Sequence, residues 1–458
     1  MDSAAFHHAI QIDEAKCIGC IHCMRVCPTE AIRIKVGKAV IIQERCIDCG
    51  QCMRACPAKA FYIKQNDLKM LHDFTYRIAL FPAVMIGQFP DKISEEQIYQ
   101  AMLTLGFTHM MEVEQPIRIL IDLTKEYLQE NEVSKPCISA FCPAVVRLIQ
   151  IKYPSLIDNI IPVKAPHDLA AHFILQSLMN QGIAKEEIGI FYITPCAAKI
   201  AAVKSPVSDQ PSIVDGIISM SDFYNKIRQV IPKEEEPGDT HDQRQHLTRE
   251  GILWSTSRGE SSRFGNRAIA IDGIHSVVKF LDRLENDEVK GFDFLEMRAC
   301  DQSCAGGILL TGNRFTTTER LEQRSKKYPT YLENRQASNV EEKDLTQCLL
   351  IDEIKPHNVF RLDDDIGKAM EKMSKAQRII CFLPGIDCGA CGAPNCQALA
   401  EDMVQGNAKM SDCVFLQQRW QNEGRIIAEK AFHNLEKRWG KERFNADCNK
   451  RGRRNEGF

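Results

Sequence analysis

Two short words in this chain are built to hold iron. Residues 17–28 read CIGCIHCMRVCP and residues 46–57 read CIDCGQCMRACP, the same C-x2-C-x2-C-x3-C-P pattern repeated after 29 residues. Three closely spaced thiolates wrap one face of a cubane cluster, and the fourth cysteine of each word crosses over to ligate the other cluster. Cys17, Cys20, Cys23 and Cys56 are therefore assigned to one 4Fe-4S cluster, and Cys46, Cys49, Cys52 and Cys27 to a second. Two zinc knuckles are the competing reading, but they leave the crossed fourth ligands unexplained. Pro28 and Pro57 turn the chain away after each word.

A third group lies near the other end. Cys388, Cys391, Cys396 and Cys413 follow a C-x2-C-x4-C-x16-C spacing. Gly389 and Gly392 let the backbone approach a cluster and donate N–H groups to its sulfurs, and Pro394 is expected to begin the helix that follows. A four-cysteine zinc site has the same ligand count, but beside two cubanes iron is the better assignment.

Four more cysteines sit in the middle of the chain. Cys142 stands in ISAFCPAVVRLI, Cys196 in FYITPCAAKIAAVK, and Cys300 and Cys304 in LEMRACDQSCAGGILL. Three loops can deliver four thiolates to one point, which is the ligand count of a cubane. As bare cysteines they read equally well as small buried residues.

The elements that must position these groups follow from periodicity. The segment YRIALFPAVMIGQF reads as a buried strand, followed by a helix, SEEQIYQAMLTLG, opened by a Ser94–Gln97 capping box. The strand IGIFYITP follows the helix HDLAAHFILQSLMNQG, and FDFLEM follows IHSVVKFLDRLEND. Such alternation predicts α/β architecture with mainly parallel sheets and functional residues on loops at the carboxyl ends of strands. The charged stretch 231–250 reads as a solvated loop.

Composition narrows the class. The chain has 458 residues, 44% hydrophobic and 26% charged, enough for several domains with large cores. Its net charge is −3, and apart from a short KRGRRN tail it has no basic stripe, so nucleic acid is not expected as a partner. No apolar run approaches the roughly 18 residues of a membrane span, so no membrane is expected either. Its 20 cysteines suit metal better than disulfides, which gives a cytoplasmic expectation. Cys137, Cys348, Cys381 and Cys448 have no ligand role and are expected to be mostly buried small residues.

The residues around the central cysteines resemble the three signature loops of the iron-iron hydrogenases. There is a cysteine before a proline at Cys142-Pro143, a Pro-Cys-x-x-Lys run at Pro195, Cys196 and Lys199, and a glutamate four residues ahead of Cys-x3-Cys and two glycines at Glu296, Cys300, Cys304 and Gly306-Gly307. The stretch LWSTSRGESSRFGNRAIAIDGIHSVVKFLDRLE is similar to the branch often called group B, and so is the pairing of N-terminal ferredoxin clusters with a C-terminal iron-sulfur domain. That C-terminal stretch resembles a small iron-sulfur domain of electron-transfer complexes and corrinoid proteins. The resemblance implies a two-lobed hydrogenase-like domain with mainly parallel sheets, flanked by a bacterial ferredoxin-like α+β domain and a small helical iron-sulfur domain. The expected boundaries are 1–66 for the ferredoxin-like domain, 67–318 for the H-cluster domain, 319–375 for a linker and helical segment, and 376–458 for the C-terminal 4Fe-4S domain with its helical tail.

Carried over by position, the resemblance implies that Cys142, Cys196 and Cys300 ligate the cubane of an H-cluster. Cys304 would bridge it to a diiron subcluster bearing carbon monoxide and cyanide, Lys199 would hydrogen-bond a cyanide, and Glu296 would belong to the same catalytic set. Ferredoxin or a similar redox carrier, protons and dihydrogen, and the maturases that insert the diiron unit are the implied partners.

Departures from the family pattern are equally specific. Phe141 stands where a proton-passing cysteine is common, Ala202 where a glutamate is, and Arg298 where a methionine is. A phenyl ring and a methyl group carry no titratable proton, which predicts slow turnover or a proton route through Glu296, Asp301 or ordered water. Arg298 is expected to pair with Glu296 or Asp301, to stabilise an anionic cluster, or to form a surface salt bridge. Three functions follow: a ferredoxin-linked hydrogenase, a hydrogen or redox sensor of low turnover, and an electron-transfer protein without the diiron unit. Retention of Lys199 and Cys304 argues against the last.

Overall fold

The computed structural model describes residues 6–130, 134–207, 211–234, 246–331, 345, 349–351, 353–357 and 359–444. The chain forms two compact units, one of residues 1–9, 47–50 and 63–357, the other of 10–46, 51–62 and 358–458. Cys348, Cys448, the KRGRRN tail and most of the charged loop expected at 231–250 lie outside the described residues.

Two parallel sheets organise the first unit. One has four strands in the order His109–Glu112, Tyr76–Phe81, Ile188–Thr194 and Gly216–Ser219, all parallel. The other has three, Ala268–Asp272, Phe294–Arg298 and the short Cys137–Ile138, again all parallel. Strands buried along their whole length carry near-continuous apolar runs, as IGIFYIT does at Ile188–Thr194. Beside the four-stranded sheet, Phe81, Tyr99, Phe107, Phe191 and Phe223 share one core, with edge-on ring contacts.

Local signals act as the residue types require. Ser94 caps the helix Glu95–Thr104 by accepting from the Gln97 N–H at 3.1 Å, while the Gln97 side chain accepts from the Ser94 N–H at 2.9 Å. The helix Arg314–Ser325 runs across residue 318, the expected end of the central domain, and it buries Leu321 in the same core as Phe81. The first compact unit accordingly continues to His357.

The second unit groups residues 10–46 and 51–62 of the N-terminal segment with the C-terminal segment. The strands Ile32–Lys35 and Lys38–Ile41 pair antiparallel. The Ile34 N–H donates to Gly392 O at 2.9 Å, Gly37 N–H to Arg438 O at 2.8 Å, and the Arg33 guanidinium to both Asp402 oxygens at 2.6 and 3.2 Å. The C-terminal helix spans Cys396–Val404 and is capped by Asn395, whose Oδ1 accepts from Ala398 N–H at 2.7 Å, so it starts two residues after Pro394. Among the described residues no helix is long and apolar enough to cross a membrane.

Candidate functional site

The central cysteines occupy the loops at the carboxyl ends of three parallel strands. Cys142 follows Cys137–Ile138 and is the N-cap of the helix Pro143–Lys152. Cys196 follows Ile188–Thr194 and is the N-cap of the helix Ala197–Lys204. Cys300 and Cys304 follow Phe294–Arg298, with Cys304 in the 3-10 turn Ser303–Gly306.

Two glycines let the third loop close. A Cβ on Gly306 would stand 1.8 Å from Asp301 O, and one on Gly307 2.5 Å from Pro195 O. The backbone is then tied to its neighbours: Leu309 N–H donates to Pro195 O at 3.0 Å, and Cys304 N–H to Ser255 O at 3.1 Å. Contacts with Pro195, beside Cys196, thus fix the third loop against the second.

Electrostatic contacts show which side chains are brought together. Burial, then Cys142, push the Cys196 thiol up to about 12, with Lys199 opposing and Cys304 adding to the rise. Burial also raises Cys304, against Lys199 and Arg298, with Cys142 and Glu114 adding to the rise. Cys142, Cys196 and Cys304 are therefore close enough to act on one another, and Lys199 and Arg298 are close enough to act on Cys304. Cys300 is half-buried on the same loop as Cys304.

Lys199 lies almost wholly buried in the helix that Cys196 opens. Burial alone would lower its ammonium, but Tyr192, Cys304 and Cys196 outweigh it and hold the pKa above the ordinary lysine value. Its Nζ is 4.3 Å from the centre of the Phe141 ring. The Arg298 guanidinium is 3.7 Å from the same centre. Phe141 is itself buried, so the ring contacts two cations inside the pocket.

Arg298 is 1% exposed, which removes the surface salt-bridge reading. Its Nη2 donates to Glu260 Oε2 at 2.7 Å and lies 3.9 Å from Glu296 Oε1. Both Glu260 oxygens accept from Ser139 Oγ at 2.8 Å. Asp301 is taken instead by Arg314, at 2.8 Å. Glu296 Oε2 accepts from the backbone N–H groups of Glu260 at 3.2 Å and Ser261 at 2.7 Å, so its carboxylate anchors that turn.

One acidic group stands out that the sequence pattern did not single out. Glu114 is fully buried, its Oε1 accepting from Ser255 Oγ at 2.8 Å and its Oε2 from Ala83 N–H at 3.0 Å. Burial and the nearby Glu112 push its carboxyl up to about 8. Glu112 is held by two Arg324 nitrogens at 2.6 and 2.7 Å, and Arg324 in turn by Glu95 at 2.6 Å. In the sequence, the alternation Glu112-Val-Glu114 at the end of an apolar run was the available signal, because a carboxylate inside a buried segment needs a partner.

In the second unit, Cys17, Cys20, Cys23 and Cys56 line one cavity. Burial first, then Cys20, Cys17 and Cys56, push the Cys23 thiol up to about 12. Backbone N–H groups point at three sulfurs: Ala39 to Cys17 at 3.4 Å, Ala31 to Cys27 at 3.2 Å and Ala60 to Cys56 at 3.3 Å. Such donors stabilise a thiolate. Cys46 closes the 3-10 turn Gln43–Arg45 and Cys52 lies in the helix Gln51–Ala55, whereas Cys49 falls in the stretch 47–50 that belongs to the first unit; all three are half-buried. Cys391 is pushed up to about 11 by burial and then, against an N–H contact from Ala393, by Cys388 and Cys413; Cys413 also has Cys396 and Cys388 as neighbours. Of the unassigned cysteines, Cys137 is buried, but Cys381 is exposed.

Three parts of the chain are similar to known protein families. Residues 76–265 match the family described as iron only hydrogenase large subunit, C-terminal domain; residues 9–57 match a 4Fe-4S dicluster domain and 383–415 a putative Fe-S cluster domain. The chain is 33% identical over 178 residues to the periplasmic Fe hydrogenase large subunit of Nitratidesulfovibrio vulgaris, covering 35% of this chain and 42% of that protein. It is 51% identical over 37 residues to a component of the ion-translocating oxidoreductase complex of Rhodobacter capsulatus, 8% of this chain and 20% of that one. The chain thus spans less than half the length of either relative. Among solved structures, FeFe-hydrogenase HydA1 from Chlamydomonas reinhardtii aligns with a TM-score of 0.47 at 15% identity, covering 64% of this chain and 98% of that one.

Proposed function

From the premise that the central domain of this chain resembles the iron-only hydrogenase large-subunit family, we propose that the chain is an iron-sulfur oxidoreductase that interconverts dihydrogen with protons and electrons. What supports the reading is that Cys142, Cys196 and Cys304, from three separate loops, are electrostatic neighbours of one another, with the buried Lys199 acting on Cys196 and Cys304. Their chemistry fits an anionic iron group, because the buried Arg298 guanidinium has nitrogens with no acceptor among the described residues, and an anion would complete it. Cys142, Cys196 and Cys300 would hold the cubane of an H-cluster, with Cys304 joining it to a diiron subcluster bearing carbon monoxide and cyanide. When bound, that group supplies the redox chemistry and the place where protons and dihydrogen interconvert.

The chain's own residues then have distinct tasks. Lys199 offers three N–H donors and a fixed charge in a low-dielectric site, where both count for more than in water. Phe141 keeps water away from the cation pair. Glu114, protonated at neutral pH, holds a proton at its carboxyl while Ser255 donates to its Oε1. Glu296 positions the 260–261 turn rather than meeting substrate. The cysteines at 17, 20, 23 and 56, at 46, 49, 52 and 27, and at 388, 391, 396 and 413 would carry electrons from ferredoxin or a similar carrier. Maturases would insert the diiron unit.

The absence of a titratable group at Phe141 favours a second reading, a hydrogen or redox sensor with slow turnover. Maturing the iron-loaded protein with a diiron source and assaying hydrogen evolution with a reduced viologen separates the two. Turnover above that of a Lys199→Ala control supports the hydrogenase, and a matured protein without turnover supports the sensor.

A further inference from the structure

Phe141 and Arg298, two of the residues that depart from the family pattern, are in direct contact, with the guanidinium 3.7 Å from the ring centre. Arg298 ends the strand Phe294–Arg298, two residues before Cys300, and is fully buried. A guanidinium taken out of water costs several kcal/mol unless its five N–H groups find acceptors. Only Nη2 is satisfied, by Glu260; the Nε and Nη1 atoms are buried with no acceptor among the described residues. Three hydrogens on these two atoms are therefore without an acceptor. The Phe141 ring that Arg298 covers directly precedes Cys142, and Lys199 Nζ lies 4.3 Å from the centre of the same ring. Glu260 accounts for the position of Arg298 but not for its unused donors, nor for two mutually repelling cations on one buried ring.

Resting on the reading that Cys142 and Cys304 hold an iron-sulfur group, we propose that Arg298 is a cofactor-contacting residue whose Nε and Nη1 hydrogens are donated to that anionic group. Lys199 and Arg298 then form a pair of fixed cations, with Phe141 as the apolar spacer that keeps them apart and dry. A cation and donors beside a cubane favour its reduced, more negative state.

The test uses the full chain loaded with iron and sulfide but without the diiron unit, so the readout does not depend on hydrogen chemistry. The reduction of each cubane is followed by electron paramagnetic resonance during a redox titration, and the terminal clusters serve as internal references. At the potential where the central cubane of the unaltered chain is half reduced, Arg298→Met is expected to lower its reduced-to-oxidised ratio on the order of tenfold, equivalent to about 59 mV for one electron. Glu260→Gln, which keeps the guanidinium and removes its counter-charge, is expected to leave the ratio unchanged or raise it. Equal behaviour of the two variants, or an unchanged ratio in Arg298→Met with normal iron content, overturns the proposal. If Arg298→Met does not take up iron, Arg298→Lys decides. A retained charge without the planar donors is expected to shift the spectrum of the central cubane, and an unshifted spectrum overturns the contact. Failure of the diiron unit to insert would remove the hydrogenase reading and leave these titrations intact.

Discussion

Glu114 gives the sharpest handle on the buried acid beneath the pocket. Burial and Glu112 move its carboxyl from an ordinary 4.5 to about 8. At about 1.4 kcal/mol per pH unit, ionising it inside the fold costs about 5 kcal/mol. Its folded midpoint lies above the unfolded one, so its contribution is present in full below about pH 4.5 and is lost as the pH rises to about 8. Glu114→Gln keeps an acceptor for Ser255 and Ala83 but removes the ionisation. Between about pH 6 and about pH 8 the unaltered chain is expected to lose about 2 kcal/mol that the variant keeps. That corresponds to a fall of about 4 °C in the thermal midpoint, at about 2 °C per kcal/mol for a large domain. Anaerobic melts of the iron-loaded protein across this range measure the difference. In parallel, pH-difference infrared spectroscopy follows the C=O stretch of a protonated carboxyl, which is expected to fall to about half near pH 8 in the unaltered chain and to be missing from the variant. Identical pH slopes for the two proteins, or no such carboxyl signal, refute the reasoning.

Other perturbations test separate parts of the account. Phe141→Cys places a thiol between two cations, where it is acidic. It is expected to raise hydrogen evolution with a reduced viologen about 100-fold or more, within the usual range of a positioned proton donor, while costing about 3 kcal/mol in thermal stability for the lost ring. Arg324→Met strands the buried Glu112 carboxylate and is expected to cost about 3–5 kcal/mol, seen as a lower melting midpoint at neutral pH. Cys56→Ser, although it lies in the second cysteine word, is expected to remove the cluster of Cys17, Cys20 and Cys23, read as lost iron and a lost paramagnetic signal; loss of a site confined to the second word contradicts the crossing. Gly307→Ala brings a Cβ within 2.5 Å of Pro195 O and is expected to lower the iron content by about four per chain, with the terminal clusters retained.

Much of the architecture was legible because it depends on local patterns. Unbroken apolar runs marked the parallel strands, and the capping box at Ser94 marked a helix start. The cysteine words at 17–28 and 46–57 stood out because their repeated spacing suits cubane ligation, whereas the central cysteines, taken alone, read equally well as buried small residues. Side-chain partners across elements were not legible. For Arg298 the sequence offered Glu296, Asp301, an anionic cluster or a surface pair, and its main side-chain partner, Glu260, is 38 residues away in sequence. Glu114 was hidden for the same reason, since its shift comes from burial and from Glu112, neither of which a spacing rule exposes. The union of the N- and C-terminal segments in one compact unit was also invisible, because contacts such as Arg33 with Asp402 join residues 369 apart.

The central claim is that the thiols of Cys142, Cys196, Cys300 and Cys304 hold an iron group with carbon monoxide and cyanide ligands. Infrared spectroscopy of the anaerobically loaded chain after incubation with a diiron source tests it most directly. Carbonyl and cyanide bands are expected in the unaltered chain, and none in Cys304→Ser that retains its cubane iron. A fully iron-loaded chain without such bands, or bands undiminished in Cys304→Ser, would contradict it.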